Sequence, residues 1–268
     1  MAGNSRKKWQ FAAPALILPF LLFPLSRVHA KPAIAAARRA ENAPVASTGV
    51  FPLGPGTTWD YQAMLSWSEN NSTDIHQKLI EWQMVVGRRI TRRTDDRIYD
   101  AYAIKGFPRD LDGSHGDTAP AESLIVESRK TGSNSVQFYW ISPAETSKTL
   151  ARFENSADSL ASVVTADELF LEFPLVRGQR FCGPTGMIRT DQFYCWVTGK
   201  PEATDLSGIE GAPKLTSPVA YPIEFMTAEH STAFDFVPGV GITHYSYQVA
   251  GTATDTELTL AAIEHKAH

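Results

Sequence analysis

The sequence lacks the short motifs by which many enzymes are recognised. It contains no Gly-x-Ser-x-Gly motif, no His-Glu-x-x-His motif and no Cys-x-x-Cys pair, so it carries no local signature of a serine hydrolase, a zinc protease or a thioredoxin-like oxidoreductase. Its 25 basic and 29 acidic residues give a net charge of −4, which opposes general binding to nucleic-acid phosphates. We therefore expect a protein that is not an enzyme, holds no cofactor or metal and binds no nucleic acid.

Long apolar runs are also absent, with one exception near the start of the chain. The basic residues 6–8 precede an apolar run from Phe11 to Leu25, and Val28 and Ala30 supply small side chains beside a possible cleavage point. This pattern predicts a secretory signal peptide over 1–30, because the run is shorter than the roughly 20 residues of a membrane-spanning helix. We expect a periplasmic or secreted protein that is not an integral membrane protein after signal cleavage.

The chain has only two cysteines, Cys182 and Cys195. An oxidising compartment outside the cytoplasm pairs thiols that the cytosol keeps reduced, so we expect one disulfide bond between them. A redox-active pair is the alternative, but the spacing is far from that of a Cys-x-x-Cys motif.

Large apolar side chains are scarce between residues 31 and 48, where alanine and proline are frequent. Such a segment buries too little surface to offset the entropy of ordering, and it is predicted to be a disordered linker. The rest of the chain predicts a single β domain over 49–264 and a short tail at 265–268.

Apolar side chains from Phe51 onward recur mostly at every second position, as in strands with one buried face. The clearest run extends from Trp59 to Trp67, and turn-forming residues separate successive runs. One short helix is predicted over 156–164. The pattern predicts a mainly all-β fold, namely a strongly curved antiparallel sheet or open β-barrel with at most one or two short helices.

Three landmarks occur in the same order in two parts of this domain. Phe51-Pro52-Leu53-x-x-Gly56-x-x-Trp59 matches Phe173-Pro174-Leu175-x-x-Gly178-x-x-Phe181, Val86-Gly87-Arg88 matches Thr198-Gly199-Lys200, and Ala101-Tyr102-Ala103-Ile104 matches Ala220-Tyr221-Pro222-Ile223. Ordered self-similarity of this kind indicates an internal repeat. It predicts two similar halves, over about 51–150 and 173–264.

The repeated Phe-Pro-Leu-x-x-Gly motif and the late Pro238-Gly239-Val240-Gly241 motif resemble those of a group of uncharacterised exported bacterial β-proteins. That group is similar in outline to open β-barrel periplasmic proteins, including lipoprotein carriers, whose concave sheet accepts acyl chains. The resemblance implies an open β-barrel and an apolar or amphipathic ligand. The chain departs from lipidated relatives because no cysteine stands near the predicted cleavage point, and the pair Cys182 and Cys195 is not part of the shared pattern.

Aromatic side chains on the inward faces of the predicted strands are the candidate ligand-binding residues. They are Trp59, Tyr61, Trp67, Trp82, Phe138, Trp140, Tyr221, Phe225, Tyr245 and Tyr247. These side chains would line an apolar cavity if the sheet is hollow. The pattern favours the alternative of a packed core, because inward aromatic residues at strand spacing usually fill a sheet.

Two further segments carry clustered charges. Arg88, Arg89, Arg92 and Arg93 form a candidate anion-binding site, since guanidinium groups suit phosphate and carboxylate; the alternative is a strand end that projects solvated charges. The segment 110–120 is rich in aspartate and glycine, but its spacing does not match a calcium loop. We expect it to be an exposed loop.

Three functions remain open at this point. The leading one is an exported, non-catalytic β-protein that binds an apolar or amphipathic component of the cell envelope, either a lipid or an amphipathic small molecule. The second is a structural or partner-binding envelope protein that uses a sheet edge or the 110–120 loop. The third is an unrecognised enzyme that uses Asp235, His230 and His244.

Overall fold

The computed structural model describes residues 50–69, 74–160 and 162–265. The predicted signal peptide at 1–30 and linker at 31–48 lie outside the described residues, as do all but the first residue of the predicted tail at 265–268.

Strands dominate the described part of the chain. They are β1 (Thr58–Ser68), β2 (Ile75–Arg93), β3 (Arg97–Lys105), β4 (Glu122–Lys130), β5 (Val136–Ile141), β6 (Leu169–Phe173), β7 (Arg180–Cys182), β8 (Cys195–Thr198), β9 (Glu202–Ala203), β10 (Val219–Met226), β11 (His230–Val237), β12 (Gly241–Val249) and β13 (Asp255–Glu264). The helical elements are a 3-10 turn (Pro108–Leu111), α1 (Pro143–Glu154) and the single turn α2 (Pro184–Met187).

The strands form one antiparallel sheet that curls into a nearly closed barrel. Their order is β6-β5-β4-β3-β2-β1-β13-β12-β11-β10-β8-β7, and β9 pairs with β10 outside this path. The end strands β6 and β7 come close without sharing a ladder, and Nε2 of Gln179 donates a hydrogen bond of 3.4 Å to the carbonyl oxygen of Glu172 near this junction. The predicted mainly antiparallel open barrel is therefore confirmed.

The barrel consists of two six-stranded meanders of like order. The first contains β1 to β6, and the second contains β7, β8 and β10 to β13. The first strand of the first meander, β1, pairs with the last strand of the second, β13. The corresponding strands β7 and β6 share no ladder, and β7 and β8 have only 3 and 4 residues where β1 and β2 have 11 and 19. The barrel wall therefore has one unclosed seam.

The landmarks of the sequence repeat make the same hydrogen bonds in both meanders. The amide of Gly56 donates to the carbonyl of Val86 over 2.8 Å, and the amide of Gly178 donates to the carbonyl of Thr198 over 2.7 Å. Both glycines have positive φ, of 84° and 77°, a region that costs other residues free energy. The motif residues thus begin each meander in the same way.

Aromatic side chains fill the barrel interior, and backbone carbonyls accept hydrogen bonds from the polar atoms of Trp59 and Tyr61. The indole Nε1 of Trp59 donates to Val240 over 2.7 Å, and the hydroxyl of Tyr61 donates to Ile242 over 3.0 Å. Phe51 packs edge-on against Trp59, with a centroid distance of 5.9 Å. These hydrogen bonds allow Trp59 and Tyr61 to be buried without leaving the indole N–H or the hydroxyl group unpaired.

Two local predictions are wrong. Residues 156–160 and 162–164 form turns and irregular structure, and the helix is α1, which ends at Glu154. The sequence obscures α1 because two of its four buried side chains, Thr146 and Thr149, are threonines rather than apolar residues.

The prediction of an exposed loop over 110–120 is also wrong for its first residues. Leu111 is fully buried and the side chain of Asp112 is 17% exposed. The hydroxyl of Thr256 donates to the carbonyl of Leu111 over 3.3 Å. We call the residues 107–112, which enter one end of the barrel, the mouth segment.

Candidate functional site

Two adjoining pockets lie beside the unclosed seam, and together we call them the seam cleft. The larger, of about 250 Å³, is lined mainly by Arg109, Trp140, Glu145, Glu168 and Phe170. The smaller, of about 150 Å³, is lined mainly by Ala166, Phe181, Gly183, Tyr194 and Phe225. Both pockets share Asp167 and Trp196.

Aromatic side chains from both sides of the seam line the cleft. Phe170 on β6 lies 6.1 Å from Phe234 on β11, measured between ring centroids. Trp196 on β8 lies 5.3 Å from the same Phe234 and 5.1 Å from Phe225 on β10. Trp196 and Phe225 are directly opposed on β8 and β10, whereas Phe170 is the unpaired residue at a register shift between β5 and β6. The region where the strand ladder is missing is therefore bounded by aromatic surface.

Arg109 brings a positive charge into the larger pocket. It belongs to the mouth segment, and its guanidinium carbon lies 4.4 Å from the ring centroid of Trp140. Its side chain is 29% exposed, and its nearest carboxylate oxygen, on Asp112, lies 3.7 Å from Nε. The Nε atoms of Arg109 and of Trp140 are buried without a hydrogen-bond partner. Buried donors of this kind are costly unless they acquire an acceptor.

Asp112 and Asp110 hold the mouth segment in place. Asp112 accepts a hydrogen bond of 2.6 Å from the hydroxyl of Tyr245, and Asp110 accepts one of 3.1 Å from the amide of Ala121. Burial raises the pKa of Asp112 from 3.8 to about 7, and burial raises the pKa of Asp110 from 3.8 to about 6. Burial therefore makes both carboxyl groups beside Arg109 weaker acids than ordinary aspartates.

The other carboxylates of the cleft differ in how they are paired. Glu145 forms an exposed ion pair of 2.9 Å with Lys148, and Glu168 accepts a hydrogen bond of 3.1 Å from the amide of Thr165. Asp167 is exposed and forms no ion pair with any described residue. The cleft thus combines one guanidinium with a surplus of negative charge.

The ten candidate aromatic residues fall into two groups. Six are buried core residues: Trp59, Tyr61, Trp82, Phe138, Tyr221 and Tyr245. The other four, Trp67, Trp140, Phe225 and Tyr247, are partly buried. Of all ten, Trp140 and Phe225 line the seam cleft.

Trp67 and Tyr247 lie elsewhere, beside histidine rings. Trp67 stacks on His115 and His76, with centroid distances of 4.9 Å and 5.6 Å. The ring of Tyr247 lies 5.5 Å from that of His230. Burial is the main cause that lowers the pKa of His230, and the positive charge of Arg109 lowers it further.

The arginine cluster is largely occupied by contacts within the protein. Arg89 pairs with the fully buried Asp100 over 2.8 Å, and Arg88 pairs with Glu154 over 3.4 Å. Arg92 donates to carbonyls after the last turn of α1, including Asp158 over 2.8 Å. Arg93 is exposed. Three of the four guanidinium groups thus contact other parts of the protein.

The disulfide between Cys182 and Cys195 is confirmed. It joins directly opposed residues of β7 and β8. It therefore clips together the two short strands that border the seam.

The described residues contain no cluster of three or more His, Cys, Asp or Glu side chains that could hold a metal ion. Of the three residues considered for catalysis, Asp235 and His244 are opposed on β11 and β12, whereas His230 lies at the other end of β11. In the described ranges, no helix is long and apolar enough to cross a membrane.

Sequence comparison does not place this chain in a family. No protein-family profile matches it, and no curated protein matches it.

Two solved structures resemble the fold in outline. One is a predicted exported protein with a YmcC-like fold from Bacteroides fragilis, with 10% identity, a TM-score of 0.34, and coverage of 82% of this chain and 100% of that chain. The other is a predicted lipoprotein from Parabacteroides distasonis, with 11% identity, a TM-score of 0.29, and coverage of 80% of this chain and 98% of that chain.

Proposed function

We propose that this protein is an exported, non-catalytic β-barrel protein that binds an apolar or amphipathic component of the cell envelope in the seam cleft. Export is supported by the signal-peptide pattern at 1–30 and by the disulfide, which is typical of an oxidising compartment. The ligand is a lipid or an amphipathic small molecule.

The observation that carries this proposal is the unclosed seam with its aromatic lining. Small-molecule sites are concave, mainly apolar, and contain a few convergent polar groups. Trp140, Phe170 and Trp196 supply the apolar walls, and Arg109 supplies a polar group with an unsatisfied donor. The barrel axis is filled by packed aromatic residues, so we place the ligand at the seam rather than on the axis.

A cleft-filling substitution tests this placement. The disulfide-bonded protein is titrated calorimetrically with a single-chain phospholipid below its micelle-forming concentration. Ala166→Trp puts an indole into the smaller pocket, and we expect it to abolish binding because it occupies the ligand's volume. Ala253→Trp is the matched control, since Ala253 lines a separate open pocket of about 550 Å³. Thermal unfolding verifies that both variants are folded.

The proposal requires that Ala253→Trp binds as the wild type does. Loss of binding in Ala253→Trp with full binding in Ala166→Trp would move the site to the other pocket. No binding of any amphiphile by the wild-type protein would refute the proposal.

A second candidate function is binding of another envelope protein. Val176, Met187 and Ile188 are 51%, 70% and 85% exposed and all lie between β6 and β8. Large exposed apolar side chains are a feature of contact surfaces. This function predicts that Val176→Asp, outside both pockets of the seam cleft, abolishes co-purification of one defined envelope protein while amphiphile binding is unchanged.

A further inference from the structure

The charges in the seam cleft do not suit a simple anion. Arg109 attracts an anionic group, but Asp167 and Glu168 line the same pocket and repel it. Glu145 adds a third carboxylate, which Lys148 neutralises. An anionic ligand therefore gains one attraction and meets two repulsions.

A simple cation is equally poorly matched. It would satisfy Asp167, which forms no ion pair within the described chain, but it would leave Nε of Arg109 with only its ion pair of 3.7 Å to Asp112 and no hydrogen bond. Since Nε of Arg109 is buried and makes no hydrogen bond, this unsatisfied donor carries a desolvation cost. A ligand that offers both an acceptor and a positive charge supplies a hydrogen-bond acceptor to Arg109 and a cation to Asp167.

The aromatic residues favour an ammonium group as the ligand's positive charge. Trp196 and Asp167 border both pockets, and an ammonium next to an indole ring and a carboxylate is stabilised by both. A phosphate suits Arg109, because a guanidinium fork matches phosphate oxygens.

The smaller pocket continues from this point as apolar surface. Phe181 and Phe225 line it, and the exposed Met187 and Ile188 directly follow Gly186 at its rim. An apolar tail that leaves the larger pocket therefore meets apolar side chains.

We infer that the seam cleft selects amphiphiles with a zwitterionic head group, whose phosphate contacts Arg109 and whose ammonium lies between Asp167 and Trp196. This inference rests on the proposed function, because it names the ligand class of the same cleft.

Three amphiphiles with the same acyl chain test the inference. They are a lysophosphatidylethanolamine, which is zwitterionic, a lysophosphatidylglycerol, which is anionic, and a monoacylglycerol, which is neutral. Each is titrated into the disulfide-bonded protein below its micelle-forming concentration. We expect the zwitterionic compound to bind about tenfold more tightly than the other two. Free phosphoethanolamine in a fourth titration measures what the head group contributes without a tail.

Substitution of Asp167 should change the binding affinities of two ligands in opposite directions. Asp167→Asn keeps the shape and removes the charge, so we expect weaker binding of the zwitterionic compound and tighter binding of the anionic one, by about three- to tenfold each. A folding defect would weaken both. Asp117→Asn is the control, because the side chain of Asp117 is 89% exposed and pairs with Lys78 outside the cleft.

The outcomes separate the inference from the proposed function. Equal affinity for the three amphiphiles, or tighter binding of the anionic one, would overturn the zwitterion preference and leave amphiphile binding intact. Binding of none of them would overturn both.

Discussion

The hydroxyl of Tyr245 donates a hydrogen bond of 2.6 Å to Oδ1 of Asp112. Tyr245 is buried on β12, whereas Asp112 ends the mouth segment. The bond therefore fastens this segment inside the barrel wall. It also holds the backbone of Arg109 in place, because Arg109 belongs to the same segment. The guanidinium of Arg109 lines the seam cleft.

The raised pKa of Asp112 predicts a pH dependence of stability. Because burial raises the pKa from 3.8 in the unfolded chain to about 7 in the fold, the folded state holds its proton more tightly. This contribution is fully present below pH 4 and is lost as the pH rises towards 7. Asp112→Asn cannot ionise, so its free energy of unfolding should change less between pH 4 and 7 than that of the wild type, as measured by urea unfolding. Equal slopes would show that Asp112 ionises normally in the fold.

Reduction of the disulfide should loosen the seam. In the chain-entropy model a loop of this length contributes about 3 kcal/mol, and the bond clips β7 to β8. We expect Cys182→Ser/Cys195→Ser to lower the free energy of unfolding by about that amount and to weaken amphiphile binding. Denaturant unfolding and calorimetry measure the two effects. Wild-type binding by this variant would mean that the cleft forms without the clip.

The positive φ of Gly178 predicts a purely conformational cost for a side chain. A Cβ at this position would meet no atom within 4 Å, so Gly178→Ala should cost about 1 kcal/mol of stability from backbone strain alone. Gly208→Ala is the matched control, since its Cβ is equally unobstructed but its φ is not positive. Similar thermal unfolding temperatures for the two variants would contradict this explanation.

Arg92 should stabilise the end of α1. Its guanidinium donates to the carbonyls of Phe153 over 3.0 Å and Asp158 over 2.8 Å, and a cation is favourable at a helix C-terminus. Arg92→Ala should lower the free energy of unfolding by about 1–3 kcal/mol, whereas the exposed Arg93→Ala should change it by less than about 0.5 kcal/mol. Equal effects in a denaturant series would rule out a specific cap.

The strand pattern was predictable because it depends on neighbours in sequence. Alternation from Trp59 to Trp67 defines one buried face, and the motif beginning at Phe173 marks the start of the second meander. The pairing of Cys182 with Cys195 followed from their being the only two cysteines in a chain whose sequence predicts an export signal.

The seam cleft was not predictable because it depends on distant contacts. Arg109 reaches Trp140 only because the mouth segment folds into the barrel, and no local pattern marks this. Trp196 lies on a strand of 4 residues, too short for alternation to be evident. The missing ladder between β6 and β7 depends on how the two ends of the sheet meet, which the spacing of the repeat landmarks does not report.

The most direct test of the account is native mass spectrometry of the protein recovered from the compartment to which it is exported. We predict extra mass equal to one amphiphile per chain, which disappears on denaturation and is absent from the Ala166→Trp variant. A bare mass for the wild-type protein, or the same extra mass in Ala166→Trp, would contradict binding in the seam cleft.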